Sequence, residues 1–247
     1  GRVIDQGTPI GLLGKRGASG GWSHLHFEIK SRQPSGRWGT QAGYAFLWEA
    51  YRAQYHPALV ANARRKQFIM AGEQATLSGQ QSYSATGRIR SYEWTFTDGS
   101  VARGPVVTRR YVRPGFYSEI LKVTDESGRV DYDFGEVHVL DPQRSGQYTP
   151  GIHATYWPTL DNRVNQPVTF KVRSFLEPDG QEIWNFGDGS PPVAVKSDGN
   201  ADPQAKNGYA AVQHTYREPG NYLVQVQRQD SSGLTATARL HVTVAAE

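Results

Sequence analysis

One run of ring and turn residues occurs twice in this chain, and no other feature limits its fold as tightly. Trp94-Thr95-Phe96-Thr97-Asp98-Gly99-Ser100 leads to Tyr111, Pro114, Gly115 and Tyr117, then to Asp125, Ser127 and Gly128. Trp184-Asn185-Phe186-Gly187-Asp188-Gly189-Ser190 leads in the same way to Tyr216, Pro219, Gly220 and Tyr222, then to Asp230, Ser232 and Gly233. Turn residues at fixed offsets within an internal repeat mean two copies of one small fold. Residues i and i+2 of a strand share a face, so each Trp-x-Phe sends both rings inward. The Asp-Gly that follows is a hairpin signal, because Gly readily takes positive φ. Pro-Gly makes the next turn, and the Tyr after it packs back on the core.

The first copy spans 67–141, with strands expected at 74–77, 89–96, 106–111, 115–124 and 130–140. The second spans 148–245, with strands at 168–174, 182–186, 211–216, 220–229 and 235–244. Short strands at this spacing, bounded by Gly, Pro, Asp and Ser and with no helix, predict a small antiparallel β-sandwich in each copy. A linker at 141–146 separates them. Between Gly189 and Tyr216 the second copy holds about fifteen more residues than the first holds between Gly99 and Tyr111; the extra stretch, 191–207, is polar and reads as an exposed loop.

Residues 1–38 read as β-structure of a different kind. Gly17-Ala18-Ser19-Gly20-Gly21 makes a tight loop, and 24–29 alternate, with His24, His26 and Glu28 on one face and Leu25, Phe27 and Ile29 on the other. That period predicts a strand with one side on a core. Over 39–66 the pattern changes. Tyr44, Leu47, Trp48, Tyr51 and Tyr55 recur at helical spacing, with Thr40 as the N-cap and Pro57 as the stop, and 56–66 is a connector. The fold expected is therefore mainly β: a partial β-domain, one connecting helix and two tandem immunoglobulin-like sandwiches.

Composition removes several functions. The chain has no Cys, which excludes disulfides, iron–sulfur centres and thiolate zinc sites. A net charge of +4 without a long basic stripe argues against nucleic acid. No apolar run reaches the length of a membrane span. The chain opens at Gly1 with no charged-then-apolar leader, which reads as a processed product or a fragment. Asp98, Asp125, Asp188 and Asp230 either shape their turns or ligate calcium, which takes carboxylate and carbonyl oxygens. Trp22, Trp38 and Trp157 are either core residues or, if exposed, platforms for sugar rings. His24 and His26 point the same way, and neutral imidazole is a good zinc ligand.

Both copies resemble PKD (polycystic-kidney-disease) domains, whose hallmark is Trp-x-Phe-Gly-Asp-Gly. Trp184 to Gly189 match it residue for residue, and the first copy departs at Thr97, where the family has Gly. The resemblance implies an immunoglobulin-like sandwich serving as an extracellular spacer, adhesion or polysaccharide-contacting module beside bacterial hydrolases.

Residues 3–29 resemble the C-terminal half of a lysostaphin-type zinc metalloendopeptidase. Val3, Gly7, Ile10, Gly11 and Gly14 stand at the family's spacing, and a Gly/Ser-rich loop leads to His24-Leu25-His26-Phe27-Glu28. The resemblance implies that His26 is one zinc ligand. It makes His24 the catalytic histidine that orients water or stabilises the oxyanion. The family's His-x-x-x-Asp ligand pair and second catalytic His lie upstream of this chain's first residue, so the chain by itself is expected to be inactive. The function expected of the parent is that of a secreted or surface zinc metallopeptidase of the peptidoglycan-hydrolase type, with the sandwiches as spacer or attachment modules. Its partners would be peptidoglycan or an extracellular protein or polysaccharide, and its location extracellular, cell-surface or periplasmic. The rival is a non-catalytic adhesion or glycan-binding protein on a degenerate peptidase scaffold.

Overall fold

The computed structural model describes residues 2–5, 7–12, 25, 27–41, 43–63, 66–143, 151–175, 179–202, 205 and 207–246. The chain divides into two compact units, Gly1–His56 with Pro203–Asn207, and Pro57–Asp202 with Gly208–Glu247. The second unit holds both repeats.

In the first unit, β1 (Ile29–Arg32) and β2 (Trp38–Gln41) form an antiparallel hairpin with Ile29 opposite Gln41. Helix α1 (Tyr44–Tyr55) follows at once. Two expectations change here. Thr40 is not the helix cap: it lies in β2 opposite Lys30, and the N-cap is Gly43, which makes no side-chain capping bond. Among the described residues of the strand expected over 24–29, Ile29 alone lies in a strand. A strand needs a partner for its backbone groups, and the chain that pairs with β1 leaves the ladder after Gln41 to enter the helix. Leu25 and Phe27 are exposed rather than set on a core.

The first repeat contributes β3 (Leu59–Val60), β4 (Gln67–Met70), β5 (Gln74–Ser78), β6 (Tyr83–Ser84), β7 (Ile89–Thr95), β8 (Val101–Arg103), β9 (Val106–Arg110), β10 (Gly115–Asp125) and β11 (Val130–Leu140). One sheet runs β8-β7-β10-β11-β4, and β5 pairs with β9 in a second. Trp94, Leu121, Val123, Val137 and Val139 are fully buried between them. Ala61 and Ala63 also reach this core, and their N–H groups donate to Asp131 and Asp133 at 2.8 and 2.7 Å.

The second repeat contributes β12 (Gly151–Trp157), β13 (Pro167–Phe175), β14 (Glu182–Asn185), β15 (Val193–Val195), β16 (Ala210–Thr215), β17 (Gly220–Gln229) and β18 (Thr235–Val244). The sheet β12-β13-β16 faces the sheet β15-β14-β17-β18 across Phe170, Val172, Trp184, Phe186, Val224 and Val226, as alternating inward side chains require. The stretch read as an exposed loop is partly built into the fold. Val193–Val195 adds an edge strand to β14, and Ser197 is buried, its N–H and hydroxyl donating to Glu182 at 2.9 and 2.6 Å. Glu182 itself is fully buried and paired with Arg228 at 2.9 Å. A buried charge of this kind is stable only when paired and hydrogen-bonded, so the insertion is tied down where the sandwich holds this buried Arg–Glu pair.

Candidate functional site

His24 and His26 lie outside the described residues. Glu28, their described neighbour, is exposed and already engaged: its carboxylate accepts from the Thr40 hydroxyl at 2.5 Å and pairs with Lys30 at 3.1 Å. These contacts, the Thr40 hydroxyl first, hold its pKa below the ordinary value. Among the described residues, no three His, Cys, Asp or Glu side chains converge to hold a metal. The other five histidines each sit in a separate setting. His56 closes α1 in the left-handed conformation, His138 lies between Phe68 and Phe116, and His153 meets Tyr209. His214 and His241 contact Asp188 and Asp131 at 2.7 and 3.3 Å.

The repeated carboxylates shape their turns. Asp98 Oδ1 accepts from the N–H and hydroxyl of Ser100, and Asp188 Oδ1 does the same with Ser190. Asp125 takes the N–H groups of Ser127 and Arg129, and Asp230 those of Ser232 and Leu234. The second oxygen of each Asp-Gly aspartate meets a cation-forming side chain from the facing strand, Arg109 at 2.7 Å in the first repeat and His214 at 2.7 Å in the second. Each partner also lies over the signature phenylalanine, Arg109 at 4.2 Å from the Phe96 ring and His214 at 4.1 Å from Phe186. The Arg109 contact and then Ser100 hold Asp98 far below the usual carboxylate range. Burial pushes Asp188 up, yet Ser190 and His214 together bring it below.

The signature tyrosines close each core at the same end as its Asp-Gly turn. Tyr111 and Tyr216 are buried, and Tyr117 and Tyr222 pack against them at 4.9 and 4.1 Å. Burial pushes both buried phenols far above their ordinary pKa, so they remain donors. Tyr216 donates to the Phe186 carbonyl at 3.2 Å, whereas Tyr111 donates to the Glu119 carboxylate at 3.0 Å. Glu119 was not foreseen, although a Glu in phase with Leu121 and Val123 on an alternating strand is a visible signal.

Five of the six tryptophans divide as follows. Trp94 and Trp184 are core, Trp38 on the β-hairpin is 67% exposed, and Trp157 at the end of β12 is 71% exposed. Trp22 lies outside the described residues.

Two family models match the chain: one described as "PKD domain" over residues 56–139 and a second, also "PKD domain", over 153–244. A "Microbial collagenase" of Vibrio alginolyticus is 33% identical over 110 residues, which is 40% of this chain and 13% of that protein. "Collagenase ColA" of Clostridium perfringens is 29% identical over 73 residues, 30% of this chain and 7% of that protein. The match thus spans only a small part of the curated relatives' length. Among solved structures, the PKD1 domain of Vibrio anguillarum Epp is 28% identical, covering 35% of this chain and 98% of that one at a TM-score of 0.30. The PKD1 domain of the Vibrio cholerae metalloprotease PrtV is 29% identical, covering 29% and 94% at 0.24.

Proposed function

Because the chain carries two PKD domains in tandem, we propose that it is the spacer and attachment region of a secreted or surface-located bacterial peptidase. The observation that carries this is where the signature side chains go. The carboxylates, rings and hydroxyls of both repeats are turned to their own turns and cores, so what the sandwiches offer to partners is their outer surface. The partly matching collagenases favour a peptidase as parent, and no described helix is long and apolar enough to cross a membrane.

For the catalytic half we propose the zinc chemistry that residues 3–29 resemble. His26 would hold the metal and His24 would orient water or stabilise the tetrahedral oxyanion, with the remaining ligands supplied by the parent. Bound zinc would lower the pKa of its water for attack on a peptide carbonyl, in peptidoglycan or in extracellular protein. Metal analysis of the full-length protein tests this reading. Stoichiometric zinc, lost in His26→Ala together with peptidase activity, is the expected result; full zinc and unchanged activity in that variant would overturn the assignment. Attachment is tested separately by removing residues 57–247 from the parent. Cleavage of a small soluble peptide should persist while retention on insoluble substrate falls.

A further inference from the structure

The outer face of the second repeat's β12-β13-β16 sheet is organised in rows across the strands. Ladder partners share a face, so Trp157, Thr169 and Gln213 form one row and Thr155, Lys171 and Ala211 the next. Their neighbours Tyr156, Phe170 and Val212 point into the core. A third row is already used. Arg173 is clasped by Asp198 at 2.7 and 2.6 Å and by the Asp202 carbonyl at 2.8 Å, and the Tyr209 hydroxyl meets His153 at 2.9 Å. The insertion therefore walls one end of the face and leaves two rows open, ending on the exposed indole of Trp157.

Those two rows carry ligand-type chemistry that the fold does not use. Thr155, Thr169 and Gln213 make no side-chain hydrogen bond, and Lys171 has no carboxylate partner, among the described residues. No acidic side chain lies in either row. Strands about 4.8 Å apart make each row about 10 Å wide, the span of two sugar rings. A protein partner needs roughly 800 Å² per side with several apolar anchors, and this face has one. A pyranose needs one aromatic plate for its C–H face and a few donors and acceptors around its rim. The electron-rich face of an indole attracts the slightly positive C–H edge. The uncompensated ammonium adds a preference for a negatively charged sugar.

We propose that this face binds an acidic polysaccharide of the hexuronic-acid class, with a ring stacked on Trp157 and a carboxylate held by Lys171. The proposal rests on the attachment reading and gives it a ligand class and a location. Affinity electrophoresis of the full 247-residue chain tests it, in gels containing polygalacturonate, hydroxyethyl cellulose or gelatin. The expected result is retardation by polygalacturonate that weakens with salt. Trp157→Ala should reduce that affinity by at least about tenfold. Lys171→Gln should bring it down to the level of the neutral cellulose. Because the chain is basic, Lys122→Gln in the first repeat serves as a control that loses the same charge elsewhere and should bind as wild type. Equal losses in the two lysine variants would reduce the effect to net charge and overturn the site. So would equal binding by wild type and Trp157→Ala. Retention by gelatin alone, unchanged in Trp157→Ala, would overturn the sugar face while leaving attachment to a protein standing. Circular dichroism of each variant checks the fold, which removal of the exposed Trp157 ring should leave intact.

Discussion

Position 97 is where the two repeats part company. In the second repeat the corresponding Gly187 has φ +81, and a Cβ there would lie 2.9 Å from the Leu223 carbonyl oxygen. Only glycine fits, and Gly187→Ala should cost about 2 kcal/mol or more in urea unfolding, from the left-handed backbone and the contact together. The first repeat takes another route. Thr97 donates its N–H at 2.6 Å and its hydroxyl at 2.8 Å to Glu119, a fully buried carboxylate where the second repeat has Val224. The departure of Thr97 from the hallmark is plain in the sequence, but its reason is 22 residues away and emerges only when β10 is laid beside the turn. Burial pushes the Glu119 pKa above its ordinary value of 4.5, against the pull of Thr97, Tyr111 and Arg109. The folded state then binds this proton more tightly than the unfolded state, so Glu119 lowers stability as pH rises from about 4.5 to its folded pKa. Asp98 acts in the opposite sense at lower pH, its contribution being lost as pH falls from 3.8. Glu119→Gln keeps an oxygen for Thr97 and turns a donor to the Tyr111 hydroxyl. Urea titrations from pH 4 to pH 8 should show the wild type losing stability relative to this variant as pH rises, by about 1.4 kcal/mol for each tenfold difference in proton affinity. Parallel curves would rule out a raised Glu119.

At the scale of elements, long alternating strands between Gly, Pro and Asp turns were legible, and 130–140, 220–229 and 235–244 coincide with β11, β17 and β18. The strands that escaped are those whose pattern is set by partners rather than by period. β12 mixes His153, Thr155 and Tyr156 among small residues, and β15 is three residues inside a stretch rich in Asp, Gly, Lys and Pro. What fixes β15 is the Glu182–Arg228 pair beneath it. Arg228→Met would leave Glu182 buried without its cation and should cost about 3–5 kcal/mol. Replacing both partners, as Glu182→Leu with Arg228→Met, should recover most of that loss because no charge remains buried. Ser197 would still lose its acceptor, so limited proteolysis should cut the double variant within 196–202 while sparing the wild type. Recovered stability together with full protease resistance would show that Glu182 is not the anchor. The candidate site was legible to a similar degree. The turn role of the aspartates follows from their Ser and Gly neighbours. The exposure of Trp157 does not, since it depends on how far the insertion reaches over β13.

Across the second unit, the two sandwiches are joined as parts of one sheet rather than as beads on a linker. β10 and β18 meet in parallel at Phe116 and Ala236, which makes the sheet continuous from β15 to β4. Phe116 belongs to the first repeat, yet it is buried in the core of the second, opposite Ala236. In return Arg239 of the second repeat donates to the Ser118 carbonyl at 2.9 Å, and His241 meets Asp131 at 3.3 Å. Asp131 in turn holds the Ala61 N–H, so this contact is continuous with the first core. Unfolding either sandwich would strip the partner of core contacts, and that is the physical condition for a single cooperative transition. Calorimetry of the wild type should therefore give one peak whose van't Hoff and calorimetric enthalpies agree. Phe116→Ala removes the shared ring at a cost of about 3–5 kcal/mol and should split that peak in two. The first-repeat transition should then follow the stability of a Glu119 variant, and the second that of an Arg228 variant. Two peaks already in the wild type, unmoved by Phe116→Ala, would mean that the repeats fold independently and that the shared sheet contributes no coupling.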